Sequence, residues 1–194
     1  MTLLVVEAID KRFDGVVAAR AVSFTVDAGE LVAVIGPNGA GKSTTFNIVG
    51  GQLTPDSGRI LFDGQPIAGL SARAIWKRGI GRTFQVAQTF VSMSVAENVQ
   101  MALQSGHGAT LDPWRSAHHL YRDEALALLT LTGMRDAANR AVSTLAYGDV
   151  KRVELAIALA SDPKLLLMDE PTAGMAPRER EALMSLVASL ARDR

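Results

Sequence analysis

The residues with the clearest chemical meaning form a glycine-rich stretch, Gly36-Pro37-Asn38-Gly39-Ala40-Gly41-Lys42-Ser43-Thr44. Its spacing matches the pattern G-x-x-x-x-G-K-S/T, in which glycines let backbone N–H groups turn inward around phosphate oxygens. A helix beginning near Lys42 would add partial positive charge at its N-terminus. We expect Lys42 to meet the β- and γ-phosphates and the Ser43 hydroxyl to bind Mg²⁺. The stretch therefore predicts a nucleoside triphosphate site, the alternative being a glycine turn that contains Lys-Ser by chance.

Two carboxylates, Asp169 and Glu170, follow the apolar run Leu165–Met168. In open α/β sheets, ligands bind at the carboxyl ends of the strands, which is where these side chains would lie. We expect Asp169 to hold Mg²⁺ through its water shell and Glu170 to polarise an attacking water. The alternative is a pair of surface carboxylates at a strand end. A simple kinase does not need the second carboxylate, so Glu170 favours nucleotide hydrolysis.

Hydrophobic periodicity and turn residues predict the elements that would position these side chains. The predicted strands are Leu3–Ile9, Ala21–Val26, Leu31–Ile35, Arg59–Phe62 and Leu165–Met168. Because Leu31–Ile35 is apolar throughout, we expect it to be covered on both faces of a parallel sheet. The predicted helices are a segment beginning near Lys42, then Ser94–Ala102, Tyr121–Leu131, Val150–Ala160 and Arg178–Arg194. The pattern indicates an α/β core interrupted by a mostly helical insert.

Composition excludes several classes of protein. Lys and Arg together number 20, as do Asp and Glu, so no strong global field points to nucleic acid or an anionic membrane. Cysteine is absent, which excludes disulfides, thiolate metal sites and a cysteine nucleophile. The N-terminus has no basic head before its apolar stretch, and the apolar runs are too short to span a membrane. We therefore expect a soluble intracellular protein that contacts a membrane only through a partner.

With these motifs in order, and with Gln85 and Leu145-Ala146-Tyr147-Gly148-Asp149 between them, the chain resembles the ATP-binding subunits of ABC transporters. The resemblance covers essentially all 194 residues. The stretch Gly79–Gln85 and the Tyr-Gly form of residues 145–149 resemble the branched-chain amino acid uptake branch, with urea and related amide importers as close relatives. The resemblance implies one ATP-binding domain over residues 1–194. It would combine a P-loop NTPase-type parallel sheet core at about 1–85 and 161–194, an N-terminal antiparallel β subdomain, and an inserted α-helical subdomain at about 86–160.

The resemblance also implies roles for individual residues, with ATP and Mg²⁺ as ligands. Phe13 corresponds to the aromatic that stacks on adenine, although an aromatic after a strand is more often part of a core. Gln85 corresponds to the glutamine that touches Mg²⁺ or the attacking water. Residues 145–149 correspond to the family signature, which contacts the γ-phosphate of ATP bound to the opposite subunit. An ordinary capped helix start is the alternative interpretation of the same residues.

Partners and a location follow from the same resemblance. The implied partners are a second ATP-binding subunit, integral membrane permease subunits and, indirectly, a solute-binding protein, at the cytoplasmic face of the plasma membrane. The region Thr83–Val95 corresponds to the docking region for the membrane subunit, and Val86, Phe90, Val91 and Met93 fit either such a groove or a core. No nucleic-acid partner is expected.

Three substitutions depart from the family pattern. Ala146 replaces a serine and removes one hydroxyl donor to the γ-phosphate. Asp149 replaces a glutamine, which we interpret as a helix cap that also adds an anion near polyphosphate. Ala176 replaces the Asp or Asn that helps to pair the subunits. We expect the ATP-dependent pair still to form, with reduced affinity. Nearby, Lys151 and Arg152 are expected on the solvated face of the signature helix, the alternative being contact with the nucleotide of the neighbouring subunit.

The switch histidine of the family is a further point of difference. In the family it follows on a later strand, and the sequence ends at Arg194, so we expect a truncated cassette that binds Mg-ATP and hydrolyses it slowly. His107, His118 and His119 lie in the helical insert and are expected to be solvated. Two other functions stay open: a non-transport ABC ATPase of DNA repair or translation, and a degenerate binding or regulatory module.

Overall fold

The computed structural model describes residues 1–83, 89–107 and 121–192. The strands in this part of the chain are β1 (Thr2–Phe13), β2 (Val16–Asp27), β3 (Ser57–Phe62), β4 (Gln65–Pro66), β5 (Ile80–Thr83) and β6 (Leu165–Met168). The α-helices are α1 (Lys42–Val49), α2 (Ala72–Lys77), α3 (Val95–His107), α4 (Arg122–Leu131), α5 (Tyr147–Leu159) and α6 (Pro177–Arg192). The chain divides into a first unit, Met1–Ile80 with Val187–Arg194, and a second unit, Gly81–Leu186.

The first unit contains an antiparallel sheet in the order β2-β1-β3-β4. β1 pairs with β2 from Thr2↔Asp27 to Phe13↔Val16, and with β3 on its other side. Leu4 and Val6 are buried at alternate positions, as expected for a sheet with one face in a core. A register irregularity between Val6 and Ile9 then lets Ile9 face the same core.

The second unit contains a helical core and a two-stranded sheet of β5 and β6. Helix α3 begins at a reciprocal cap, because the Glu97 N–H donates to Ser94 Oγ at 3.2 Å and the Ser94 N–H donates to Glu97 Oε2 at 2.7 Å. Apolar side chains of α3, α4 and α5 form one buried cluster, which includes Val95, Val99, Leu103, Ala125, Leu129, Val153 and Ala156. Apolar residues of the predicted helical insert thus pack against one another in a buried cluster.

The prediction of a buried strand at Leu31–Ile35 is wrong for this structure. No strand is described between Asp27 and Lys42, and Ile35 is 90% exposed. The backbone bonds on either side of this stretch are local, from the Glu30 N–H to the Asp27 carbonyl and from the Ala40 N–H to the Pro37 carbonyl. A strand needs a neighbouring strand to bond its backbone, and an apolar run does not contain that information.

The other predicted elements are confirmed, with shifted ends. β6 has the predicted bounds, whereas β1 and β2 extend beyond theirs because they join through a tight hairpin at residues 14–15. Helix α5 begins at Tyr147, three residues before the predicted start at Val150. None of the described helices is long and apolar enough to cross a membrane.

Candidate nucleotide-binding site

The glycine-rich loop leads directly into helix α1 in the first unit. Gly41 is the residue before the helix and has a left-handed conformation with φ +81°, and Gly39 has the same φ. The Thr45 hydroxyl donates to the Gly41 carbonyl at 3.0 Å and the Thr45 N–H donates to it at 2.8 Å, which closes the first helical turn. The earlier N–H groups of an α-helix have no partner within the helix and are available to an anion. The loop thus places two left-handed glycines directly before the N-terminus of α1.

Gly41 also lies against strand β2. A Cβ atom added at Gly41 would be 1.9 Å from the carbonyl oxygen of Ala18, whereas one added at Gly39 would meet nothing within 4 Å. Ala18 is two residues after Val16, which pairs with Phe13 across the hairpin. The structure thus brings the helix end of the phosphate loop next to the strand that pairs with Phe13.

Lys42 is held by the loop itself. Its ammonium donates to the carbonyl oxygens of Gly36 at 2.7 Å and Pro37 at 2.8 Å. These bonds place a positive charge beside the N-terminus of α1, where it adds to the partial charge of the helix. The loop therefore combines free amides, a helix N-terminus and a cation, the combination that binds polyphosphate.

Phe13 lies at the end of β1, and its side chain is 43% exposed. The adjoining turn is formed by Asp14 and Gly15, both with positive φ. The alternative interpretation, in which Phe13 belongs to the core, is therefore wrong. An exposed ring is the arrangement that a stacking platform for a base requires.

The two carboxylates of the acidic strand end differ in environment. Asp169 is buried, and its Oδ2 lies 3.8 Å from Nη2 of Arg82 on β5. Burial lowers the pKa of Arg82, and the charge of Asp169 opposes that shift. Sequence reasoning missed Arg82 as a partner, although it quoted the residue within the Gly79–Gln85 motif. Arg82 and Asp169 are 87 positions apart, so no local pattern in the sequence indicates this pair.

Glu170 is exposed and has a left-handed backbone conformation with φ +48°. For a residue with a Cβ atom this conformation costs about 1–2 kcal/mol. Its carbonyl accepts the Ala173 N–H at 3.1 Å, so the strained residue begins a turn after β6. Strain of this kind concentrates at functional sites, where the surrounding structure maintains it.

The signature residues form the start of helix α5 in the second unit. Ala146 is the N-cap residue and makes no side-chain capping bond, so the missing serine leaves the cap position without a hydroxyl. The interpretation of Asp149 as the cap is wrong, because Asp149 lies in the first turn. Aspartate is favourable at the N-cap, where it accepts a backbone hydrogen bond, and in the first turn, where its negative charge interacts with the helix dipole. The residue type therefore does not distinguish the two positions.

Gly148 is in close contact with a carboxylate of its own chain. A Cβ atom added there would lie 3.1 Å from both Cδ and Oε2 of Glu179 on α6. Glu179 Oε2 also accepts the Ala176 N–H at 3.2 Å and so caps α6. The small size of Gly148 therefore accommodates Glu179, a neighbour that sequence reasoning did not identify.

The prediction of a solvated face at Lys151 is also wrong. Lys151 is buried, and its ammonium lies 2.9 Å from Glu154 Oε2 and 5.5 Å from the centre of the Tyr147 ring. Arg152 is half-buried and donates to the Thr132 carbonyl at 3.3 Å. A charged pair at i and i+3 looks the same in sequence whether the helix face is open or covered, so only packing reveals the burial.

Some predicted residues lie outside the described part of the chain. These are Gln85, Val86, His118 and His119, together with the side chain of His107. Of the predicted docking groove, Phe90 and Val91 are exposed and Met93 is half-buried. The alternative of a core position therefore does not hold for Phe90 and Val91.

Comparison with known proteins places the chain in a family. The family model for ABC transporters matches residues 19–173. LivG of Escherichia coli strain K12, named a high-affinity branched-chain amino acid transport ATP-binding protein, is 39% identical over 195 residues, which span 97% of this chain and 76% of LivG. LptB of Haemophilus influenzae, named a lipopolysaccharide export system ATP-binding protein, is 35% identical over 190 residues, 98% of this chain and 76% of LptB.

A solved structure agrees with the sequence relatives. The ADP conformation of MJ1267, an ATP-binding cassette of an ABC transporter, superposes with a TM-score of 0.87 at 32% identity, covering 100% of this chain and 78% of that chain. The predicted fold class is confirmed: an α/β, P-loop NTPase-type parallel sheet core with an N-terminal antiparallel β subdomain and an inserted α-helical subdomain. The predicted resemblance to ATPase subunits is confirmed as well. The chain belongs to the ABC transporter family, as one of its ATP-binding subunits.

Proposed function

We propose that this chain is the ATPase subunit of an importer of branched-chain amino acids. The observation that carries the proposal is a glycine-rich loop with two left-handed glycines at the N-terminus of α1, in a chain 39% identical to LivG. The subunit works as one of a pair of cassettes beneath integral membrane permease subunits, at the cytoplasmic face of the membrane. A solute-binding protein delivers the cargo.

The first unit binds the nucleotide. The amides of Gly39, Gly41 and Lys42 turn towards the phosphates, and the Lys42 ammonium neutralises the β- and γ-phosphates. The support is the N-terminus of α1, whose first amides are open, and the ammonium held beside it. The exposed ring of Phe13 stacks on the adenine.

Residues after β6 carry the hydrolytic chemistry. Glu170 is the general base that polarises the attacking water, which agrees with its exposed carboxylate and its strained backbone. Ser43 carries a hard oxygen donor of the kind that Mg²⁺ prefers when phosphates complete its ligands. By family resemblance, Asp169 would act on the ion through its water shell and Gln85 would touch the ion or the attacking water. When bound, Mg²⁺ neutralises the charge that develops on the phosphates.

The signature residues Leu145–Asp149 act on the nucleotide of the other subunit. Helix α5 begins there, so its N-terminal amides can meet the γ-phosphate that the partner cassette holds. Ala146 supplies no hydroxyl for this contact, and Asp149 adds a negative charge in the first turn. ATP therefore closes the pair less tightly than it would with the serine and glutamine of the family pattern, and hydrolysis reopens it.

The experiment that tests this function measures ATP-dependent pairing. Glu170→Gln should bind Mg-ATP, lose ATPase activity and sediment as a dimer in the presence of Mg-ATP. Lys42→Ala should bind ATP at least tenfold more weakly and stay monomeric. A Glu170→Gln chain that hydrolyses ATP at the wild-type rate, or that stays monomeric in saturating Mg-ATP, would contradict the proposal.

A second experiment tests the cargo. Deleting the gene in its own host should abolish high-affinity uptake of radiolabelled leucine, isoleucine and valine. A plasmid copy should restore uptake, and a Glu170→Gln copy should not. Unchanged uptake would refute the cargo class while leaving the ATPase assignment intact.

A further inference from the structure

The phenylalanine at the adenine position has a cation next to its ring. Lys11, two residues earlier on β1, places its ammonium 5.6 Å from the centre of the Phe13 ring. This is within the distance at which a cation is attracted to an aromatic face. The Lys11 side chain is only 17% exposed although the strand end is open, so the ammonium is held inward over the ring.

A carboxylate fixes the position of this cation. Asp56, which immediately precedes β3, accepts from the Lys11 ammonium at 2.7 Å through Oδ1 and from the Arg12 N–H at 2.7 Å through Oδ2. Its own N–H donates to the Asp10 carbonyl at 2.8 Å. The hydrogen bond from Lys11 and the N–H of Arg12 lower the pKa of the Asp56 carboxyl, so it is charged near neutral pH.

The strand is irregular at this point. The pairing of β1 with β2 shifts register between Ile9 and Lys11 and again between Lys11 and Arg12. Such irregularities redirect side chains and are common beside active sites. Lys11 and Phe13 are two positions apart on β1 and so lie on one face of the strand. Asp56 is held at the same strand end by the Arg12 N–H, which brings its carboxylate to the Lys11 ammonium.

We propose that Lys11 is a positioning residue of the adenine site: held by Asp56, its ammonium covers one face of the Phe13 ring and leaves the opposite face for a purine. This rests on the proposed role of Phe13. A cation on one face draws π-electron density towards itself, which reduces the repulsion between the opposite face and the electron-rich base. Lys11 therefore strengthens base stacking without touching the nucleotide.

The test compares a nucleotide with the same phosphates lacking a base. Lys11→Met should weaken binding of Mg-ATP about 2- to 5-fold, the range for a partly exposed cation–π contact, and leave binding of inorganic tripolyphosphate unchanged. Lys11→Arg should keep ATP binding within about 2-fold. Lys77→Met is the matched control, because it removes one exposed positive charge from α2 in the same unit and should change neither affinity.

A double-mutant cycle shows whether the effect passes through the ring. In a Phe13→Ala background, Lys11→Met should cause no further loss of ATP affinity. A further loss in that background, an equal loss of tripolyphosphate binding, or no loss for the single variant would overturn the proposal. If Lys11→Met does not fold, Asp56→Asn can be used in its place, because it releases the Lys11 ammonium. Asp56→Asn should weaken binding of ATP and leave binding of tripolyphosphate unchanged. The control is Glu7→Gln, which breaks the ion pair with Arg59 on the same sheet and should not weaken ATP binding.

The same measurements separate this proposal from the function on which it rests. If wild-type protein does not bind ATP, or Lys42→Ala binds it equally well, the nucleotide site itself is wrong. If Lys42→Ala fails to bind and Lys11→Met binds as wild type does, only the role of Lys11 is wrong.

Discussion

Alanine at Gly41 should damage the phosphate loop far more than alanine at Gly39. The two glycines have the same φ of +81°, so the backbone cost of adding a Cβ atom is the same, about 1–2 kcal/mol. Their surroundings differ. The new Cβ at Gly41 would lie 1.9 Å from the carbonyl oxygen of Ala18, and the one at Gly39 would lie in open space.

The size of the loss in stability depends on whether the atoms around the new Cβ can move away from it. A backbone oxygen in a paired strand cannot rotate away, so α1 or β2 must shift by about 1 Å before the Gly41 contact becomes tolerable. Forced overpacking of this kind costs about 1–3 kcal/mol in addition to the backbone term. We expect the free energy of unfolding to fall by about 1–2 kcal/mol for Gly39→Ala and by about 2–5 kcal/mol for Gly41→Ala.

Urea unfolding followed by far-UV circular dichroism measures both variants against wild type. Titration with Mg-ATP then shows whether a shifted α1 still binds phosphate, and Gly41→Ala should lose most of its affinity. Equal stabilities for the two variants would refute the reasoning, since they would show that the Ala18 contact is not what requires glycine at position 41. Wild-type ATP affinity in Gly41→Ala would do the same.

Three other predictions follow from side chains in the structure. Ala146→Ser should raise the unfolding free energy by about 0.5–2 kcal/mol without nucleotide, because it adds a hydroxyl at the N-cap of α5; no gain in urea unfolding would mean that α5 does not begin there. Lys151→Met should lower the unfolding free energy by roughly 3–5 kcal/mol, because it leaves Glu154 buried and unpaired. The double variant Lys151→Met with Glu154→Leu should recover most of that loss. A Lys151→Met protein as stable as wild type would contradict the buried pair. The pKa of Asp56 in the folded protein lies below its ordinary value of 3.8. The ionised Asp56 carboxylate therefore stabilises the fold above pH 3.8, and this contribution is lost as the pH falls further. The difference in unfolding free energy between wild type and Asp56→Asn should accordingly shrink below pH 3.8. A difference that grows on acidification would show the opposite shift.

Much of the element pattern was predictable because it depends on local periodicity. β1, β3, β6 and the helices of the insert appear where the apolar spacing indicates them. α2, β4 and β5 were not predicted, because their short sequences lack the continuous apolar run that identified β6 at a similar length. Leu31–Ile35 was predicted as a strand and is not one, because strand pairing depends on distant backbone that the run itself does not specify.

The candidate site divides in the same way. Its chemical groups are readable from the sequence, because a phosphate loop and a paired carboxylate motif are short, contiguous and tied to one strand or helix end. The contacts that those groups make with distant residues cannot be read from the sequence. The contacts of Arg82 with Asp169 and of Glu179 with Gly148 join residues more than thirty positions apart. No local sequence pattern indicates such contacts.

By itself, the sequence determined the family and the nucleotide class of ligand, and it predicted the residues that would bind it, since these depend on which side chains occur at which spacing. Only the tertiary structure decided which glycine is pressed against a strand, which lysine is buried with a glutamate, and which lysine lies over the Phe13 ring. The physical reason is that burial and pairing free energies depend on neighbours brought close by folding, and the same charged residue is solvated or enclosed according to what packs on it.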